Sequence, residues 1–243
     1  MAKTFWTSIL VFLAMASSSH AQGVSIDFGE GSSISATAIQ MFLLVTILSV
    51  VPGVAIMVTC FPFVVTVLSI LRQAIGLQQA PPNMLIVSLA LFLTYFVMDP
   101  VFTEAWSSGI QPLLDEQIDI PVAFERVMVP FRAFMSSRID LETFVTFSDL
   151  RANANANLQD IANADLSILV PSFLLSEIER AFEIGFLIFL PFLIIDLVVA
   201  AILMSMGMMV VPPAVVSLPF KLAFFVIADG WSLLSEALVR GYF

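Results

Sequence analysis

Four apolar stretches set around a long polar middle organise this chain. Residues 31–71 carry no charge at all, too long a run for one straight membrane span of about 20 residues. Pro52-Gly53 breaks this run and Pro62 bends it again. The pattern predicts a helix from about Ala36, kinked at Pro52 and reaching Leu71, with neighbouring chain satisfying the carbonyls that a proline frees. Residues 72–83 form a polar connector in which Gly76 ends one helix and Pro81-Pro82 restarts the next. Residues 84–98 are a second apolar segment, short enough to need its flanks to span. Residues 99–183 are mostly polar. Within them Phe124, Val127, Met128, Phe131 and Met135 recur at helical spacing, with Pro130 interrupting. The Asn-Ala alternation at 153–157 reads as a spacer. Residues 184–211 and 214–237 are the third and fourth apolar segments, turned by Pro212-Pro213.

The expected fold is therefore all-α. Two hydrophobic hairpins, 36–98 and 184–243, flank a helical, acidic insertion at 99–183. Composition agrees: 60% of residues are hydrophobic and 12% charged, with a mean hydropathy of +1.03, against roughly 25% charged in soluble domains. The net charge of −10 comes mostly from acids between Asp99 and Glu183, with no basic cluster, so nucleic acid is not an expected partner.

The N-terminus has its own pattern. Lys3, an apolar run from Phe5 to Ala16, and Ser19-His20-Ala21 together predict a signal peptide over 1–21. Cleavage is expected between Ala21 and Gln22, leaving a flexible lead over 22–35. An uncleaved N-terminal anchor is the alternative. Cleavage removes His20, the one histidine, and with it any Ser-His-Asp or Cys-His arrangement and any Cys/His zinc site. Cys60, the one cysteine, reads as an inert small hydrophobe. No catalytic residue, metal or cofactor is expected. A cleaved signal places the mature N-terminus outside. The Arg72 connector then lies inside, the acidic middle outside, and the turn at Pro212-Pro213 inside. Arg72 thus fits the positive-inside pattern, with an intersubunit contact as its other reading.

The segment 186–221 holds the most unusual chemistry. Asp196 stands alone among apolar residues, and an acid there marks packed protein or a water-filled path. Met204, Met206, Met208 and Met209 follow. Methionine is soft enough to close around varied shapes, and it also simply fills gaps between helices. Asp196 and Asp229 lie at similar distances either side of Pro212-Pro213, where two carboxylates could share a site as in an intramembrane aspartyl protease. Hydrogen bonding and helix pairing at subunit interfaces is the alternative. Lys221 lies about 12 Å from that turn and Asp196 about twice as far, at 1.5 Å per residue. A straight hairpin then leaves Lys221 to find its partner on another subunit or at the cytoplasmic surface. Glu177, Glu179, Arg180 and Glu183 read as the charged first turn of a helix, where acids suit the dipole, or as contacts to partner subunits. A small-solute transporter would also use broken helices and a lone intramembrane acid, though no internal repeat relates the two halves.

Several of these stretches carry a family resemblance. The run L-R-Q-A-I-G-L-Q-Q-A-P-P-N over 71–83, L-A-L-F-L-T-Y-F-V-M over 89–98 and Asp99-Pro100-Val101-Phe102 resemble the FliP family of flagellar type III export gate subunits. So does most of 171–240, including Pro191-Phe192-Leu193-Ile194-Ile195-Asp196-Leu197, Met206-Gly207-Met208-Met209, Leu218-Pro219-Phe220-Lys221-Leu222 and Asp229-Gly230-Trp231. One departure stands out. Phe63 occupies the place where many members carry arginine, so a contact through that arginine does not carry over. The injectisome relatives of the SctR type are the nearest competing family.

The resemblance implies a pentameric ring with FliQ and FliR, with FlhB nearby, around a pore for unfolded flagellar proteins. It implies a place in the bacterial inner membrane within the flagellar basal body. It also implies helices stacked largely above the membrane plane, and Met206, Met208 and Met209 as the gasket of the resting pore. Arg72, Glu177, Glu179, Asp196, Lys221 and Asp229 are then expected as buried or intersubunit polar residues.

Overall fold

The computed structural model describes residues 34–77, 80–151 and 161–242. The expected signal peptide and the 153–157 spacer lie outside these, as does nearly all of the lead. Every regular element among the described residues is helical. The chain divides into two compact units, 1–49 and 50–243. Helix α1, Ile34–Met57, runs across that division. It carries no charge, and no residue of Ala38–Met57 is buried.

The expected kink at Pro52 is not where the first long run breaks. Pro52 sits inside α1, and the break falls at residues 58–60, before α2, Phe61–Ile75. Pro62 explains the position. A proline in the first helical turn loses no hydrogen bond there and has its φ already set. Thr59 closes the break, its Oγ1 donating to Ile56 O at 3.0 Å. At the other end of α2, Gly76 takes a left-handed conformation, φ +88°, and its N–H returns to Gln73 O.

Helix α3, Asn83–Ala105, does not stop at Asp99-Pro100 as the polarity change suggested. It passes through both, continues as a π-helical turn at Trp106–Ile110, and ends with α4, Gln111–Leu114. A charge ends a hydrophobic stretch without ending a helix. Pro130 likewise does not interrupt: α5, Ile120–Ser136, is unbroken, and Pro130 is buried within it. Helix α6, Leu141–Asp149, starts from Asp140, whose side chain accepts from Thr143 N at 2.9 Å. That amide holds the Asp140 carboxyl below the usual carboxylate range.

The longest element is α7, Leu166–Ser205, at 40 residues. Glu177, Glu179, Arg180 and Glu183 therefore lie mid-helix and do not open a helix at all. Their dipole explanation falls with that placement. The fourth apolar stretch is also two elements: α8, Pro213–Ile227, and α9, Gly230–Arg240, bent by 62° at residues 228–229. Asp229 sits at the bend with φ +50°.

Helix α2 is the hub of the main core. Its buried positions, Phe63, Val64, Val67, Leu68, Leu71, Ala74 and Ile75, follow one helical stripe, which packs chiefly on α7 and α3. At Gly185 of α7 a Cβ would stand 2.3 Å from Ile70 Cδ1, so this packing leaves no room for a side chain there. Two smaller cores, around Phe173 with Met135 and around Phe144 with Ile168, seat α5 and α6 against the first part of α7. Three described helices are long and apolar enough to cross a membrane, or four if the bent α8–α9 pair counts as one.

Candidate gate loop and the polar clamps beneath it

The loop at 206–212 is built by its flanks. Helix α7 ends in paired capping bonds: Met208 N–H donates to Leu203 O at 2.9 Å and Gly207 N–H to Met204 O at 3.0 Å. This pattern needs a left-handed residue at the reversal, and Gly207 supplies it with φ +72°. Pro213 then begins α8, where its fixed φ suits the first turn. The loop's side chains turn outward: Met206 is 59% exposed, Met209 84% and Val210 96%. Met208 is exposed too, and Met204, one turn back on α7, continues the apolar tip. Exposed flexible apolar side chains concentrated on one loop mark a surface that something else covers or that closes on itself.

Beneath the loop lies the clamp that simple hairpin geometry seemed to forbid. Lys221 Nζ is 2.6 Å from Asp196 Oδ2, within the same chain. The arithmetic fails because the hinge is the whole loop and not the Pro-Pro pair. Measured from Ser205 and Pro213, Asp196 and Lys221 lie about 13 Å and about 12 Å along their helices, so they meet at one level. Ser217, fully buried, donates its hydroxyl to Asp196 Oδ1 at 2.5 Å. Lys221 also donates to Ala74 O, at the end of α2, at 3.1 Å. Asp229 is not part of this group; it is exposed at the α8–α9 bend.

A second polar cluster brings the candidate Glu177 together with Arg138 and Tyr242, which no spacing in the sequence singled out. Glu177 is fully buried, and Arg138 Nε donates to its Oε1 at 3.0 Å. Tyr242 donates its hydroxyl to Glu177 Oε2. Burial first, and then the Glu177 charge, push the Tyr242 phenol well above the usual tyrosine range, so it stays a donor. Arg138 also lies over the Tyr242 ring, 4.1 Å from its centre, and donates to Gly241 O at 2.7 Å. Phe63, in the place of the family arginine, meets the Tyr242 ring edge-on, with centres 5.5 Å apart. This cluster fastens the end of the chain to α2, α5 and α7. Of the remaining candidates, Glu179 is exposed on α7. Arg72 reaches across the connector to the side-chain carbonyl of Asn83. Among the described residues no group of three or more His, Cys, Asp or Glu side chains could hold a metal.

The FliP family model matches residues 44–238, which include the loop, the Asp196–Lys221 clamp and the Arg138–Glu177 pair. The chain belongs to the FliP family. It is 47% identical to the flagellar biosynthetic protein FliP of Caulobacter vibrioides over 235 residues, covering 97% of this chain and 86% of that one. It is 46% identical to the Agrobacterium fabrum protein of the same name over 241 residues, 98% of each. The Bacillus subtilis protein of that name is 43% identical over 209 residues, covering 85% of this chain and 92% of the relative. In this FliP-family chain the departures from the sequence pattern are local. Tyr242 lies just beyond the matched region yet completes a cluster inside it.

Proposed function

We propose that this chain is a pore-forming subunit of the flagellar type III protein export gate. It assembles as a ring, five copies by family resemblance, with FliQ and FliR and close to FlhB, in the bacterial inner membrane. Unfolded flagellar proteins pass through the ring, and the loop carrying Met206, Met208 and Met209 seals it at rest. The polar residues 99–183 face the periplasm, and the chain begins at Gln22 after signal cleavage.

The observation that carries this reading is the exposed methionine loop held between the capped end of α7 and the proline start of α8. A pore wide enough for an unfolded chain must not leak ions, and apolar flexible side chains exclude a water column yet yield to a passing polypeptide. Helix length supports the ring. At 40 residues, α7 extends about 60 Å, about twice the hydrocarbon thickness of a bilayer, so a straight α7 needs cover from protein as well as lipid. The apolar face it exposes suits that cover. Co-purification with FliQ and FliR in mild detergent, followed by native mass measurement, tests the proposal. A defined multi-copy complex is expected; a stable monomer that captures neither partner overturns it.

A further inference from the structure

The loop itself is exposed, so something beneath it must decide where it stands. Lys221 occupies that position. Its side chain is only 7% exposed, and its ammonium bonds two elements other than its own helix. Through Asp196 it joins the incoming arm of the loop to the outgoing arm, with Ser217 taking the other carboxylate oxygen one helical turn earlier on the same face of α8. Through Ala74 O it joins both arms to the end of α2. The carbonyls of a last helical turn lack partners within their helix, and they carry the negative end of its dipole. A cation is the natural group to satisfy them. The reversal at Gly76 brings the chain around the ammonium: a Cβ there would stand 3.9 Å from Nζ.

We propose that Lys221 is the positioning residue of the methionine loop, setting the loop's location relative to α2 through Asp196 and Ala74 O. This rests on the seal reading of the loop for its consequence, though not for its geometry. Buried ion pairs often add little net stability against a neutral pair of similar shape, and fixing one arrangement is an attested use for them. A neutral replacement of both partners therefore keeps the hairpin packed and frees the loop.

The test uses the chain assembled with its partner subunits. Spin labels are placed at Met209→Cys on the loop and Gln73→Cys at the exposed end of α2, diluted with unlabelled chain so that distances within one copy dominate. The parent chain is expected to give a narrow distance distribution. In Lys221→Met, and in the neutral double variant Asp196→Asn with Lys221→Met, the distribution is expected to broaden at least about twofold, as local restraint is lost without global unfolding. Lys221→Arg, which keeps donors for both acceptors, should stay near the parent width. An unchanged distribution in the assembled double variant overturns the proposal. Resting ion permeability of the same strains separates this from the seal reading. Broadening without leak, together with a tight methionine-to-alanine loop variant, sinks the seal while leaving Lys221 as the positioning residue.

Discussion

The Arg138–Glu177 and Lys221–Asp196 ion pairs use the same chemistry in opposite settings. Arg138–Glu177 leaves the carboxylate no exposure and the guanidinium 12%. Lys221–Asp196 buries the ammonium but leaves the Asp196 side chain 32% exposed. Glu177 has no open side if a partner is lost, whereas Asp196 keeps one. The first pair fastens the last residues of the chain into the body. The second stands at the foot of an exposed loop. Burial depth thus separates an anchor, whose loss undoes the fold locally, from a tether, whose loss moves a loop.

The largest effect that sharpens this contrast is expected at Arg138. Arg138→Met strands a fully buried carboxylate, which costs about 3–5 kcal/mol. Thermal unfolding in detergent should show a large fall and assembly should fail. A loss as small as that of the neutral Asp196/Lys221 double variant would erase the distinction. Next comes the packing of α7 on α2. Gly185→Ala places a Cβ against Ile70, where it would lie 2.3 Å from Cδ1, and overpacking of this kind costs about 1–3 kcal/mol. Adding Ile70→Val removes the obstructing methyl and should restore much of the loss. Tyr242→Phe removes one donor from Glu177 while keeping the ring against Phe63 and Phe134. A drop of about 1–3 kcal/mol is expected for an acceptor left under-satisfied in a buried site.

The smallest effect is expected at Asp140. Its folded carboxyl is held below the usual range by the Thr143 amide. Its contribution is thus present above the unfolded value near pH 4 and is lost as pH falls through the lower folded value. Asp140→Ala should therefore lower the melting temperature slightly at neutral pH, where the cap contributes, and flatten the acid limb, where that contribution is already lost.

These contrasts also mark what the sequence could and could not reveal. The loop was legible because its signals are local: methionines, a glycine at the reversal, and prolines that stop and start helices. Helix extents were less so. Asp99 and the charges at 177–183 change polarity, and polarity reports on surroundings, while a helix ends where its backbone bonds run out. Pro52, Pro130 and Pro191 likewise sit inside helices, so a proline within an apolar run does not by itself end one. The Asp196–Lys221 pairing was hidden by one register assumption, that the turn is the Pro-Pro pair. The Glu177 cluster was hidden more deeply. Its partners are 39 and 65 residues away, and only tertiary packing brings them together.

The central claim is that the exposed methionine loop closes a pore at rest. Its most direct test replaces Met206, Met208 and Met209 together by alanine and measures resting ion permeability of cells making the assembled complex. The account predicts a clear rise in permeability, with the ring intact on a native gel, because three flexible side chains per subunit no longer fill the opening. Permeability unchanged from the parent, with assembly intact, would contradict it and leave these methionines as packing residues only.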